Sequence, residues 1–329
     1  MKIISKITNA IIIGALILGV TSCSDDDDGN IIIPENNIVV TATADTDLSL
    51  LVTALAAADG DLVSVLSGAG PFTVLAPTNE AIQAYLTANN YADINAIPTA
   101  ELQQLLLNHV IPGEFSSTAL TNSGAGYENT ASTAGPNGSA ISIYYNTTSG
   151  VVFNGGATVT TADIEASNGI IHKINAIIEL PDVTTFVTAD PEFSSLVAAL
   201  TAYNFDYVNT LKGNGPFTVF APNDTAFDEL LAVNDNWNVP ADIDETVLSN
   251  ALNLHVVPDS NIREADIVDG NLTTLSKEIT VNATAKTIKL AGNDDASAST
   301  IIATDVQATN GVIHVINKVI LDLPSINPN

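Results

Sequence analysis

Gly70-Pro71-Phe72-Thr73-Val74-Leu75-Ala76-Pro77-Thr78-Asn79-Glu80-Ala81-Ile82 is the stretch that decides the fold, because the chain says it twice. Its second copy is Gly215-Pro216-Phe217-Thr218-Val219-Phe220-Ala221-Pro222-Asn223-Asp224-Thr225-Ala226-Phe227, 145 residues further on (215 against 70). A period of that length is the size of a whole domain, so the chain holds two copies of one module and not a solenoid of short units.

The flanks repeat as well. Ahead of the first copy, Leu48, Leu51, Val52 and Leu55 fall at i, i+3, i+4 and i+7, the apolar stripe of an amphipathic helix; Phe193, Leu196, Val197 and Leu200 do the same ahead of the second. Asp190 and Pro191 read as the N-cap and first-turn proline of that helix. The Gly-Pro-Phe-Thr-Val segment is β-rich and ends at Ala-Pro, and Thr78 or Asn79, like Asn223 or Asp224, can cap a following helix. Leu102, Leu105, Leu106 and His109 then match Leu248, Ala251, Leu252 and His255, each set closed by a proline at Pro112 or Pro258.

The rest of each module is strand-like: 140–145, 151–153 and 170–175 in the first, 279–283, 287–290 and 312–317 in the second. Asn168-Gly169 and Asn310-Gly311, each between β-branched runs, signal hairpins. Helices first and strands later predict an α+β domain rather than a doubly wound sheet. The connector Pro181-Asp182-Val183 is very short, which predicts a fixed relation between the modules.

Three blocks in order, the Gly-Pro-Phe-Thr-Val segment, the later His-Val-x-Pro of 255–258 (in the first copy His109 to Gly113), and Asn-Gly-x-Ile-His-x-Ile at 168–174 and 310–316, resemble the fasciclin domain. The match covers almost all of both modules, 44–181 and 182–324, leaving a short tail at 325–329. The second copy departs from the pattern at Asp259, where the middle block has glycine. The resemblance implies two tandem β-wedges with helices packed around the sheet, and an extracellular, non-catalytic role in adhesion or matrix contact. Fold alone does not license that function. Animal relatives that contact integrins place a Tyr-His pair in the middle block; here those places hold Asn108-His109 and Leu254-His255, so integrin contact by that route is not expected. Asn317-Lys318-Val319-Ile320-Leu321 resembles another integrin-contact region of the family, but reads equally as a buried closing strand, which is the assignment taken.

Residues 1–22 read as a signal peptide: Lys2 and Lys6 precede an uncharged apolar run, Ala10 to Val20, shorter than a comfortable membrane span. The run leads through Val20-Thr21-Ser22 into Cys23, the only cysteine, in a pattern that resembles a bacterial lipobox. Cys23 is therefore the expected lipid-attachment site, which leaves no thiol for a disulfide, a metal or catalysis. Residues 23–43 read as the lipidated N-terminus and a tether, in which Asp25-Asp26-Asp27-Asp28 is solvated by mutual repulsion. An acidic run directly after the cysteine resembles the surface-export signal of Bacteroidota-type lipoproteins. The expected location is the outer membrane at the cell surface, with a periplasm-facing position as the alternative.

Nine Lys and Arg stand against 37 Asp and Glu, a formal net charge of −28, and loss of residues 1–22 would make it two charges more negative. Such a chain has no basic face for nucleic acid phosphates or anionic lipid headgroups, so membrane attachment falls to the acyl anchor. Charged residues are only 14% and hydrophobic ones 46%, which separates it from a disordered acidic tail and provides a core for each module.

All four histidines are repeat-equivalent, His109 with His255 and His172 with His314. A metal or catalytic pair completed by Asp163 or Asp305 is the chemical reading, but no His-Glu-x-x-His, Cys-x-x-Cys or paired histidines accompany it. The histidines lie on an apolar helical stripe or inside strands, so they are read as structural, buried and bonded to backbone. No Gly-x-Ser-x-Gly elbow is present, and the glycines at 68, 70, 213 and 215 precede a strand instead of opening a helix. Gly292-Asn293-Asp294-Asp295 clusters oxygens but lacks EF-hand spacing and reads as a solvated hairpin tip. Trp237, the sole tryptophan, in the loop Asn234-Asp235-Asn236-Trp237-Asn238, is the candidate ligand contact. The sequence thus favours an adhesion or interaction lipoprotein that needs no cofactor or metal and meets an extracellular protein or polysaccharide. A glycan- or nutrient-binding accessory protein is the first rival and an enzyme the second.

Overall fold

The computed structural model describes residues 36–322. The expected signal peptide at 1–22, Cys23, the aspartate run at 25–28 and the tail at 325–329 lie outside the described residues. Residues 36–322 fall within one compact unit that contains both modules.

The first module opens with three helices, α1 (Ile38–Ala44), α2 (Ser49–Ala57) and α3 (Leu62–Ser67). Strand β1 (Phe72–Pro77) follows, then α4 (Asn79–Ala88), α5 (Thr99–Leu107), β2 (Val110–Pro112) and α6 (Ser117–Ser123). The β-rich remainder is β3 (Ala125–Asn129), β4 (Ser142–Asn146), β5 (Val152–Phe153), β6 (Ala157–Ala166) and β7 (Gly169–Ile174). The second module repeats the order, with a 3₁₀ turn (Glu264–Asp266) in place of α6: α7 (Val183–Ala189), α8 (Ser194–Thr201), α9 (Tyr207–Leu211), β8 (Phe217–Pro222), α10 (Asp224–Leu231), α11 (Glu245–Leu254) and β9 (Val256–Val257). It closes with β10 (Gly270–Thr273), β11 (Glu278–Asn282), β12 (Thr287–Leu290), β13 (Ser299–Ala308) and β14 (Gly311–Ile316).

Each module forms a seven-stranded sheet of the same topology, β2-β1-β7-β6-β5-β4-β3 and β9-β8-β14-β13-β12-β11-β10. All neighbours are antiparallel except β1 with β7 and β8 with β14. This is the α+β architecture that the order of helices and strands predicts. The period-2 alternation of a strand divides the side chains of β1 between two cores. Val74 and Ala76 face the helices, while Leu75 faces the core closed by Ile143, Phe153 and Ile174. In β8, Val219 and Ala221 face the helices and Phe220 the opposite core.

The first-turn residues divide their work. Thr78 and Asn223 cap α4 and α10 by accepting from Ala81 N–H and Ala226 N–H. Their neighbours reach back two helices instead, to the starts of α2 and α8: Asn79 Oδ1 accepts from Leu50 N–H at 2.9 Å and Asp224 Oδ1 from Ser195 N–H at 2.8 Å. Leu48 and Phe193, read as the first turn of the amphipathic helices, sit in short 3₁₀ turns just ahead of α2 and α8. Asp190 caps its turn through Glu192 N–H, with Pro191 at the first position.

Three details differ from the sequence reading. Helix α1 occupies the end of the stretch assigned to the tether, and its Ile38 is buried in the first core. The hairpin loops are Ser167-Asn168 and Thr309-Asn310, because Gly169 and Gly311 pair across the strands with Ala166 and Ala308 and open β7 and β14. Glycine stands there because the neighbouring parallel strand leaves no room. A Cβ on Gly169 would lie 1.9 Å from the Phe72 carbonyl oxygen, and one on Gly311 would lie 2.3 Å from that of Phe217. Finally, 317–321 is not a strand. Strand β14 stops at Ile316 and the chain continues irregularly, with Ile320 alone of these residues fully buried.

Candidate functional site

The four histidines form two structural pairs. His109 follows α5, and its Nδ1–H donates to the Leu105 carbonyl at 2.8 Å while Nε2 accepts from Ile178 N–H at 2.9 Å. His255 repeats this with Ala251 and Ile320 at 2.7 and 3.0 Å. Each imidazole therefore ties the end of a helix to the segment that closes its module. A protonated ring would set two N–H groups against each other, and burial of both rings pushes their pKa down to about 4.

His172 and His314 use the other tautomer. Nε2–H donates to the Phe115 carbonyl at 2.9 Å in the first module and to the Ile262 carbonyl at 2.7 Å in the second. Nδ1 accepts from the backbone N–H of Asp163 or Asp305. Those aspartates sit at register shifts in β6 and β13 with φ of 55° and 62°, a bulge that turns the N–H toward the ring. Asp163 Oδ1 comes within 3.9 Å of His172 Nδ1, but the carboxylates find their hydrogen bonds elsewhere. Asp163 accepts from the Ser117 N–H and hydroxyl, and Asp305 from Glu264 N–H and Arg263. Burial would raise the Asp163 carboxyl, but the bonds from Ser117 and the nearby His172 outweigh it and hold it below its usual range. All eight ring nitrogens are thus committed to backbone. Among the described residues, no group of three or more His, Cys, Asp or Glu side chains converges as a metal site.

The remaining sequence candidates are equally placed. Asp294 caps the 3₁₀ turn 295–297 through Ser297 N–H, and Asp295 pairs with Lys289 at 2.6 Å, so the two carboxylates serve different partners. Trp237 is half-buried and packs on the helix-side core of the second module. It is a core-edge residue more than an open stacking platform. No single helix among the described residues is long and apolar enough to cross a membrane.

The largest construction that the sequence reading did not identify is the junction between modules. Tyr127 on β3 and Tyr144 on β4 form a cross-strand pair with ring centroids 5.0 Å apart. Both belong to the first module yet pack into the second, Tyr144 as a member of its core and Tyr127 edge-on to Phe186 at 5.7 Å. The Tyr127 hydroxyl donates to Asp190 Oδ2 at 2.8 Å, and burial pushes its pKa well above the ordinary tyrosine value, reinforced by the Asp190 charge. Beside it, Gln307 N–H donates to the Ser142 hydroxyl at 2.9 Å, both residues being buried. Thr309 N–H donates to the Pro181 carbonyl at 2.8 Å. The connector is thus stitched to the second module's hairpin.

The repeat contained a signal for this junction. Asp45 holds the first-module place of Asp190 and is paired with Lys173. The second-module counterpart of Lys173 is Val315, since these residues face Ala76 and Ala221 across the parallel ladders. Asp190 has therefore lost the lysine, and Tyr127 supplies the donor from the other module.

Comparison with known proteins agrees with this architecture. The Fasciclin domain family model matches residues 46–181 and 191–322. An uncharacterized protein of Synechocystis, sll1735, is 33% identical over 142 residues, covering 43% of this chain and 98% of that protein. Transforming growth factor-beta-induced protein ig-h3 of Sus scrofa is 27% identical over 259 residues; the match spans 78% of this chain but only 35% of ig-h3. Among solved structures, a FAS1 domain pair from the insect cell adhesion molecule Fasciclin I aligns over 82% of this chain and 95% of that one. The TM-score is 0.50 at 19% identity, a likeness of fold. The chain belongs to the fasciclin domain family and carries that domain twice.

Proposed function

We propose that this protein is a non-catalytic adhesion or interaction lipoprotein of the outer membrane, displayed at the cell surface. An acyl group on Cys23 would anchor it, and the acidic stretch after Cys23 would give it reach. The observation that carries the reading is the junction itself: Tyr127, Tyr144, Asp190 and Phe186 join two fasciclin domains into one presenting unit. A structural neighbour built as a pair of such domains comes from a cell adhesion molecule, which supports the same class of role here. The histidines, the most reactive side chains that the modules share, spend their ring nitrogens on the fold. The partner is an extracellular protein or polysaccharide; two modules on one chain gain avidity on a repetitive ligand. With a net charge of −28, nucleic acid is disfavoured.

Protease shaving of intact cells, read with an antibody against the second module, tests the placement. Loss of signal without lysis is expected. Protection until the outer membrane is opened would overturn surface display and leave the periplasm-facing alternative. Binding of the displayed chain to protein and glycan arrays, lost when the modules are uncoupled, tests the interaction role.

A further inference from the structure

The two modules differ in one internal space. Between α1, α2, α3 and β1 the first module is filled, leaving about 10 Å³. The same place in the second module, between α7, α8, α9 and β8, holds a cavity of about 170 Å³. Four lining side chains are the same in both, Leu196, Leu200, Leu211 and Val219 repeating Leu51, Leu55, Leu66 and Val74, while Val183 is one methylene smaller than Ile38 and Val187 larger than Ala42. The segment that leads into the third helix differs more. Tyr203, Phe205 and Tyr207 stand where the first module has Ala58, Gly60 and Leu62. Their rings pack against one another, tilted, with centroids 5.4 and 5.2 Å apart, and the two hydroxyls donate to the Ile243 and Ser249 carbonyls, on the side of α11. Thus α9 is tied away from α8, whereas α3 packs on both α1 and α2.

We propose that this cavity is a binding site for a small neutral hydrophobic molecule, a single aromatic ring or a hydrocarbon segment of that size. Its floor is buried at Leu196, Leu211 and Phe220, and its rim is exposed at Thr188 and Thr201, so it opens to solvent. No Asp, Glu, Lys or Arg lines it, in a chain with 37 acidic residues. His255 touches it with both ring nitrogens already bonded. The rim hydroxyls donate to helix carbonyls, Thr188 to Thr184 and Thr201 to Val197, and keep only acceptor lone pairs for a ligand. A carboxylate would find no donor there. An apolar cavity of roughly 150 Å³ is known to stay dry and take up benzene, so this volume matches one ring. Leaving such a space empty forfeits packing that the first module retains.

The test is titration of the full chain with toluene and, separately, with benzoate, followed by the methyl resonances of Val187, Val208 and Leu211. Saturable toluene shifts confined to these methyls are expected, with benzoate at least tenfold weaker. Val187→Phe, which fills the space, and Thr201→Phe, which covers the rim from an exposed position, should each abolish the shifts; the second keeps the test valid if the first impairs folding. Shifts that do not saturate, that are equal for benzoate, that persist in a folded filled or covered variant, or that appear equally around Val39 and Leu55 would overturn the proposal.

Discussion

Tyr127 Oη lies 2.8 Å from Asp190 Oδ2, and this bond joins a strand of the first module to the cap of the 3₁₀ turn 191–193 in the second. The same carboxylate also receives Glu192 N–H through Oδ1. Only 8% of Asp190 is exposed, so a lost donor cannot be replaced freely by water. The bond therefore belongs to the class in which removing one partner strands a buried charged acceptor.

Tyr127→Phe should lower unfolding stability by about 2 kcal/mol and loosen the two modules, because hydrogen bonds to charged groups fall near that value. Denaturant unfolding gives the first quantity and small-angle scattering the second. A cycle with Asp190→Asn should show strong non-additivity, since the residues are in direct contact. Additive effects with unchanged scattering would mean that the aromatic packing alone holds the junction.

The free edge of the second sheet lacks the aromatic pair that makes the junction. At the free end of the second sheet, the cross-strand position of Tyr127 and Tyr144 is held by Asn271 and Thr280, identified by the equivalent burial of Ile143 and Ile279 beside them. A polar pair cannot bury itself against another copy as the tyrosines do. Replacing Asn271 and Thr280 with tyrosine should raise the tendency of the chain to self-associate head to tail, read by sedimentation. A strictly monomeric variant would show that Asp45, already paired with Lys173, no longer accepts the contact.

Much of this was legible in the chain because it follows from local pattern. The apolar stripes at 48–55 and 193–200, the Gly-Pro-Phe-Thr-Val strand and the order of elements all have a period or a turn signal that one segment carries alone. Helices α1 and α7 are not evident from pattern, since 38–44 and 183–189 are only seven residues each and rich in β-branched Val and Thr, which favour strands. Asn37 and Asp182 cap them locally, accepting from Val40 N–H and Thr185 N–H, and an asparagine 130 or 127 residues away accepts their first N–H, Asn168 for Ile38 and Asn310 for Val183. Of the junction, the repeat carries only the lysine absent at Val315; Tyr127 has no sequence relation to Asp190 until the sheet brings them together.

Those asparagines make the next prediction. Asn168 Oδ1 takes Ile38 N–H, and its Nδ2 donates to the Leu66 and Gly68 carbonyls at 2.8 Å each. One amide thus pins α1, the end of α3 and the β6–β7 hairpin. Asn310 does the same for α7, Leu211 and Gly213. Asn310→Ala should cost about 3 kcal/mol, with three partly buried groups losing their partner. Amide exchange at Val183 should accelerate far more than that at β14, and uniform acceleration would deny the asparagine this local role.

Gly169→Ala should abolish folding of the first module. Its new Cβ would sit 1.9 Å from the Phe72 carbonyl, at a φ of 145° that side chains rarely adopt. Neither strand can retreat without breaking the β1–β7 ladder, so a loss beyond about 4 kcal/mol is expected. Gly156→Ala, with nothing within 4 Å, should stay within about 0.5 kcal/mol of the parent. Circular dichroism and thermal melting of both variants separate the cases.

The buried histidines set the acid response. Burial lowers the pKa of His109 and His255 from 6.5 to about 4, so the folded state holds both rings neutral where the unfolded chain would already protonate them. Stability from this source is fully present above pH 6.5 and is lost as pH falls from there toward 4, because in that window the unfolded state binds more protons. Each ring contributes up to about 3 kcal/mol of that loss. Glu128 and Glu192, whose carboxyls burial raises, oppose the trend, since they take up protons in the folded state first. Two complete histidine terms outweigh two partly exposed carboxyls, so net stability should decline between pH 6.5 and 4. Ring resonances of His109 and His255 should stay flat from pH 8 to about 5 by NMR. A midpoint near 6.5 for either would mean that its ring is not held between the two backbone groups that assign its tautomer.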